Sequence, residues 1–343
     1  MALRVLRVGL GAMGHCWTHV LAAGRSWKTV AGVDPDVGRR ESEGDEIRLP
    51  EFRRFADVGT ALTTVEADVA VIASPPAAHA AGVCACLSAG LHVLVEKPLA
   101  LSMVDAREMV DAARRADRIL MVGQNYRYAA AARSFKRVLS TKSLGKPHRI
   151  IISARVNHCD GPDHYRRRDA EVYANEVSVH HFDTLRYLLG DDAERVSAVT
   201  FREPWSPYAG NSAMHAIIGM VGGAEVVYEG TLSSRGPAIP WDGEWRIECA
   251  RGCVWLGDLG EGWGVYKSTA ARRRPRKLSY DATPQDYWKP CLESVAREFF
   301  AAIDEGREPE TSGADNLSTL AIALAAIKSS HQGTPVAVSD IHA

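Results

Sequence analysis

Lys97 and His180 are the side chains in this sequence best placed to move a proton or to steady a developing negative charge. Lys97 lies in Gly90-Leu91-His92-Val93-Leu94-Val95-Glu96-Lys97-Pro98-Leu99, where Val93, Leu94 and Val95 read as a short buried strand. Glu96 and Lys97 stand where the apolar run stops, and Pro98 offers no further ladder donor and disfavours helix before it. Ligands of open parallel sheets bind at the carboxyl ends of strands, so a lysine delivered there can meet one. A lysine merely exposed after a strand is the plainer reading of this stretch alone. His180 lies in Glu176-Val177-Ser178-Val179-His180-His181-Phe182-Asp183-Thr184-Leu185-Arg186-Tyr187-Leu188-Leu189-Gly190. Read as a helix closed by Gly190, this stretch sets Glu176, His180 and Asp183 on one face. A histidine with a carboxylate one turn to either side can be oriented, kept in one tautomer and used as a base. A solvated polar helix face is the alternative.

Elements earlier in the chain supply a partner for such chemistry. Leu3 to Val8 alternates into a strand, Gly9-Leu10-Gly11-Ala12-Met13-Gly14 follows, and a helix opens toward His19-Val20-Leu21. This is a dinucleotide fingerprint in its required setting: Gly9 for the tight turn, Gly11 for approach to a pyrophosphate, Gly14 for close helix–strand packing. Ala12 and Met13 begin the helix, whose N-terminal N–H groups and dipole favour the anion. The strand Thr29–Val33 ends at Asp34, at the spacing of about 20 residues expected for an acid that takes ribose hydroxyls. That carboxylate favours NAD by repelling a 2′-phosphate, while Arg39 and Arg40 nearby keep NADP open. Residues 67–73 form another buried strand, after which Ser74 and Pro75 face the cofactor and can wall its nicotinamide side. His79 opens the next helix, which runs to Ala89; a ligand role for it is the lesser reading. Ser102 caps a helix reaching Arg115, and the strand Ile119–Gly123 ends in Gln124-Asn125-Tyr126-Arg127-Tyr128, from which Tyr126 and Arg127 can line a pocket.

The 343 residues suit two domains, 1–123 for the dinucleotide and 124–343 for substrate binding and oligomerisation, with the last helix free to pack back on the first. In the second, strands near 149–156, 196–201, 213–220, 225–232, 245–250 and 253–256 predict a large, mostly antiparallel sheet with one open face, and helices follow near 292–303 and 317–330. A net charge of −1 gives no reason to expect nucleic acid or an anionic membrane, and no apolar run approaches a bilayer span. The basic run 272–277 reads as a solvated loop, whereas Arg166-Arg167-Arg168, just before the His180 helix, could meet an acidic substrate. The start of the chain lacks a signal-peptide core, and the 7 scattered cysteines carry neither a disulfide framework nor a zinc-site spacing, so a cytoplasmic protein without a metal centre is expected.

With these residues assembled, the sequence resembles the glucose–fructose oxidoreductase / inositol dehydrogenase / MocA (Gfo/Idh/MocA) family over almost its whole length. The resemblance rests on the glycine turn, Ala73-Ser74-Pro75-Pro76 with His79, Glu96-Lys97-Pro98, and His180-His181-Phe182-Asp183 leading to Leu188-Leu189-Gly190. Ser312–Leu317, Ala325–Ser330 and Gly333-Thr334-Pro335-Val336 are similar to the family's closing pattern. It implies an α/β protein: a Rossmann domain, then an α/β domain with a large open sheet through which homodimers or homotetramers pair. It also implies that Lys97 and His180 are the catalytic pair of an NAD(P)-dependent sugar or cyclitol dehydrogenase, with Glu96 and Lys97 on the cofactor side. In such an enzyme His180 accepts the proton of a secondary alcohol and Lys97 donates to its oxygen, while Glu176 and Asp183 orient His180 or grip neighbouring hydroxyls. Family members often carry an aspartate four residues before the histidine, and here Glu176 stands instead, so a substrate is not carried over. The alternatives are an NAD-dependent glycosidase working by transient oxidation and a dinucleotide-sensing regulator; the latter has no need of Lys97 and His180.

Overall fold

Short apolar runs alternate with helices to build the first of two compact units in this computed structural model, which describes residues 2–22, 24, 26–272, 274–278 and 288–342. Arg273, inside the basic run, therefore lies outside the described residues. The order is β1 (Leu3–Val8), α1 (Ala12–Ala22), β2 (Trp27–Val33), α2 (Val37–Glu46), β3 (Arg54–Phe55), α3 (Val58–Thr64), β4 (Val69–Ile72), α4 (His79–Ser88), β5 (His92–Val95), α5 (Met103–Ala116) and β6 (Leu120–Val122). Among the described residues the strands form a six-stranded sheet in the order β3-β2-β1-β4-β5-β6, every pair parallel. Strand order reverses between β1 and β4, so the crevice for a ligand opens at their carboxyl ends. Val69 to Ile72 and Val93 to Val95 are buried, as central parallel strands covered on both faces must be. Asp36, Asp57 and Ser102 cap α2, α3 and α5 by accepting from the backbone N–H of Arg39, Thr60 and Asp105. This is the expected Rossmann-type unit. The chain runs in it to Asn125 and returns for Trp288–Leu317.

The second unit starts at Tyr126 and takes in the chain from Ser318. After α6 (Ala130–Ser140) and β7 (Pro147–Arg155) comes a π-helical turn, Ala174–Ser178, that runs into α7 (Val179–Leu189), closed by Gly190 with φ +63°. Strands β8 (Ala193–Phe201), β9 (Ala213–Met220), β10 (Glu225–Thr231), β11 (Glu244–Cys249), β12 (Gly252–Asp258), β13 (Trp263–Thr269) and β14 (Arg276–Lys277) follow. Then come α8 (Trp288–Glu305), which belongs to the first unit, α9 (Gly313–Gln332), β15 (Val336–Ala337) and α10 (Ser339–His342). Among the described residues the sheet has nine strands, ordered β14-β13-β12-β11-β7-β10-β9-β8-β15, antiparallel throughout except where β7 meets β10. One face buries Ile150, Ile152, Val196, Ile218, Val226 and Trp245, and α7 lies on it with Phe182 5.2 Å from the Tyr228 ring. The opposite face leaves Val199, Ile217 and Val227 exposed. The mostly antiparallel open sheet is thus as expected. The one continuous helix expected over 176–189 is not: its first turn is π, a widening that often accompanies functional sites.

Close packing makes a direct prediction. A β-carbon on Gly14 would collide with the carbonyl oxygen of Gly9, and the backbone there has no slack because Arg7 Nη2 donates to Gly14 O at 2.6 Å. Gly14→Ala should cost about 1–3 kcal/mol in urea unfolding through overpacking; an unchanged midpoint would show that α1 is free to lift away from the turn.

Candidate active site

The glycine turn is built by three contacts within the first unit. Gly9 has φ +84°, and its N–H donates to Val33 O at 2.8 Å. A β-carbon on it would meet Ala73 C at 2.5 Å, so any side chain would push β1 from the loop after β4. Gly11 is different: the nearest atom to a β-carbon there is the Arg39 guanidinium, at 3.5 Å, which leaves the turn's outer side to a ligand. Asp34, buried at the end of β2, accepts from Leu10 N at 2.8 Å and from Asp36 N at 2.9 Å. Its carboxylate therefore braces the turn that it was expected to serve only as a ribose acceptor. The cradle for a dinucleotide phosphate is present, and the acid beside it suits an unphosphorylated ribose.

The adjacent strand ends carry the lysine. Lys97 is 8% exposed, and Glu96 before it accepts from Trp17 Nε1 at 2.8 Å and from the Lys97 N–H at 3.2 Å. His79 is fully buried, with Nε2 2.9 Å from Ser74 O and Nδ1 2.9 Å from Pro98 O. Carbonyl oxygens only accept, so each ring nitrogen can engage its carbonyl only as an N–H donor. His79 thus ties the loop after β4 to the loop that presents Lys97. Sequence reasoning passed over Gln124 and Asn125. Both are buried at the end of β6, and the amide nitrogen and oxygen of each lack a hydrogen-bond partner, as does Ser74 Oγ at the end of β4. Buried polar atoms without partners are costly, and their gathering at strand ends fits a polar ligand such as a nicotinamide amide. Pro75, at the same edge, is exposed. Spacing alone could not reveal this; the amides following a buried strand were the available signal.

The second unit holds the other candidates. His180 is buried on α7, and the Tyr126 ring stacks on it at 4.0 Å with the planes 7° apart. The turn Tyr126–Tyr128 is fastened to α7 by a bidentate pair, Arg127 Nε to Asp183 Oδ2 at 2.8 Å and Arg127 Nη2 to Asp183 Oδ1 at 2.5 Å. Arg127 and Asp183, expected at the pocket and beside the histidine, are therefore partners of each other. Glu176, in the π turn, accepts from Tyr165 OH at 2.8 Å and from Arg166 Nε and Nη2 at 3.0 and 2.9 Å. Burial pushes the Tyr165 hydroxyl well above its ordinary pKa, and the Glu176 charge adds to that. Arg166 remains a cation because Glu176 outweighs its burial. Arg166 also lies 3.6 Å from Asp160, whose carboxyl stays far below its usual range, hydrogen bonding to His158 and the Arg166 charge outweighing burial. His181 is a different kind of histidine. Its Nε2 faces Trp241 O at 2.9 Å and its Nδ1 faces Tyr228 OH at 2.9 Å, which in turn meets Tyr173 OH at 2.9 Å.

The family model described as "Oxidoreductase family, NAD-binding Rossmann fold" matches residues 3–124, and the "GFO/IDH/MocA C-terminal domain" model matches residues 132–255. The chain is 27% identical to D-apiose dehydrogenase of Paraburkholderia graminis over 337 residues, covering 96% of this chain and 87% of that protein. It is 24% identical to myo-inositol 2-dehydrogenase of Thermotoga maritima over 349 residues, with 99% of each chain covered. Among solved structures, an oxidoreductase from Agrobacterium radiobacter in complex with NAD+, L-tartaric acid and magnesium has the same fold, with a TM-score of 0.90, 22% identity, and 99% of this chain and 100% of that one covered.

The His181 network carries a pH signature. Burial lowers its pKa from 6.5 to about 4, so below pH 6.5 the unfolded chain binds a proton that the native ring refuses. Stability should therefore fall as pH drops from about 6.5 to about 4, by about 3 kcal/mol at most from this group. Urea unfolding of the parent and of His181→Gln across that window tests this; equal slopes would remove His181 as the source.

Proposed function

Because the chain belongs to the GFO/IDH/MocA oxidoreductase family and carries its NAD-binding Rossmann fold, we propose that it transfers a hydride between nicotinamide and a secondary alcohol or ketone of an uncharged sugar or cyclitol. The observation that carries this reading is the buried Lys97 beside strand ends where Ser74, Gln124 and Asn125 hold polar atoms without protein partners. Bound NAD+ supplies the hydride acceptor. His180, held flat by Tyr126, takes the hydroxyl proton as the C–H bond breaks, and in the reverse direction returns it. Lys97 donates a hydrogen bond to the same oxygen as charge gathers there. Arg127 and Asp183 act as positioning residues, since their pair fixes the turn that carries Tyr126. Glu176, four residues before His180 and paired with Arg166, is assigned the substrate side of that histidine.

Charge supports an uncharged substrate. In the second unit the guanidinium of Arg166 is shared by Glu176 and Asp160, and that of Arg127 is held by Asp183. Both guanidiniums are thus already paired with carboxylates, which weakens what either offers a sugar acid. D-apiose and myo-inositol, named for two relatives, are uncharged polyols and head the substrate list for this chain. Asp34 favours NAD over NADP. We also place a homodimer contact on the open sheet face, where Ile217 and Val227 sit in register on neighbouring strands and are 55% and 44% exposed. Among the described residues no helix is long and apolar enough to cross a membrane. The free cysteines suit a reducing cytoplasm.

Two expected outcomes follow from these roles. Lys97→Ala should still bind NAD by calorimetry yet lose turnover by roughly 10²–10⁴-fold, and His180→Ala should do the same; near-parental turnover in either would end that assignment. In a screen following reduced nicotinamide, neutral polyols should exceed the matching sugar acids in kcat/KM by at least about tenfold, the scale of one lost charge partner. A preference for the acids would overturn the charge argument.

A further inference from the structure

We propose that His15, His19 and Glu46 form a site for one divalent transition-metal ion, zinc being the natural choice, which ties α1 to α2. His15 and His19 are one turn apart on α1 and so project from the same face. Their Nε2 atoms lie 3.2 Å apart, with the rings edge to face at 87°. Glu46, in the last turn of α2, brings Oε1 to 3.5 Å from His19 Nε2 and Oε2 to 3.4 Å from His15 Nδ1. The three ligand atoms all fall within 4.8 Å of one another. A tetrahedral ion with bonds of about 2.0–2.1 Å sets its ligands about 3.3 Å apart, a spacing that the two Nε2 atoms and the His19 Nε2–Glu46 Oε1 pair already approach.

Support behind His15 distinguishes this cluster from a chance surface group. Glu43 Oε1 lies 2.7 Å from His15 Nδ1. Glu43 is itself buried, accepts from Thr18 Oγ1 at 2.6 Å and sits 3.4 Å from Arg7 Nη2. A fixed carboxylate makes Nδ1 of His15 the donor and leaves Nε2 as a lone pair aimed at His19. That is the carboxylate–histidine–metal arrangement in which an outer acid fixes the tautomer and raises ligand basicity. Two imidazoles and one carboxylate select zinc, cobalt, nickel or copper over magnesium and calcium. Water completes the sphere at the exposed side, where His15 and His19 are 49% and 53% exposed.

Position gives the ion a consequence. α1 opens at the glycine turn, and α2 follows Asp34, whose carboxylate braces that turn through Leu10 N–H. An ion bridging the two helices would stiffen the frame around the dinucleotide turn without touching it. Such a site would bind its ion whatever reaction the protein catalyses.

The test uses the chelator-treated full chain. Calorimetric titration with zinc chloride should give one equivalent bound with Kd of about 1–10 µM, and cobalt chloride should produce visible absorption of a low-symmetry site. Saturating zinc should raise Tm by about 2–5 °C. His15→Ala and Glu46→Gln should weaken binding by at least about tenfold, and His19→Ala, whose ring bonds no buried group, should do so with an unchanged circular dichroism spectrum. Parental binding weaker than about 100 µM, or equal binding and equal Tm shift in the His15→Ala/His19→Ala double variant, would overturn the site.

Discussion

A single buried imidazole, that of His79, fixes the two loops between which the first unit exposes its chemistry. Its nitrogens reach Ser74 O and Pro98 O at 2.9 Å each. Ser74 and Ala73 are the backbone against which Gly9 packs too closely for any side chain, and Pro98 follows the lysine directly. Glycine turn, strand-end serine and Lys97 are therefore set by one chain of contacts, and a shift in any link would be felt by the others. Trp17 extends that chain by holding Glu96. The polar atoms left without protein partners lie along the same edge, on Ser74, Gln124 and Asn125. The frame is satisfied, while the groups that face a ligand are not; that is what pre-organisation requires.

The second unit reaches rigidity by pairing charge. Arg127 and Asp183 are nearly inaccessible, and a fork-to-carboxylate pair of that kind fixes both partners in orientation as well as distance. The neighbour of Arg127 is Tyr126, so the pair acts on His180 through an aromatic plane. The π turn does similar work for Glu176. In the widened turn Ala174–Ser178, Glu176 meets Tyr165 and Arg166, from the short turn that precedes α7 in the chain.

Local signals in the sequence were readable because local physics generated them. Gly9, Gly11 and Gly14 announce a turn, β1 and β5 end where their apolar runs end, and Ser102 caps α5 where expected. Periodicity also placed His180 and Asp183 on α7. It failed at Glu176, because a 3.6-residue period assumes an α-helix and a π insertion leaves no compositional mark. It could not show that Asp183 would be spent on Arg127, or Asp34 partly on Leu10 N–H, since those partners are tertiary. The His15–Glu43 contact is hidden for the same reason. Two helices must pack before a surface histidine acquires a buried acid.

The histidines show why residue type alone does not assign a role. His180 and His181 are adjacent and both buried, yet what faces each ring differs. A donor path from Tyr173 through Tyr228 ends on His181 Nδ1, and its Nε2 donates to Trp241 O, so the neutral ring is fully used and burial keeps it neutral. His79 meets a carbonyl at each nitrogen, which makes it a clamp. His15 has a buried carboxylate at one nitrogen and a second imidazole at the other, an arrangement that asks for a cation. His180 alone has an aromatic plane over one face and lies on a helix held by a paired charge. A base must be held still, and the stacked Tyr126 plane holds this ring in one orientation.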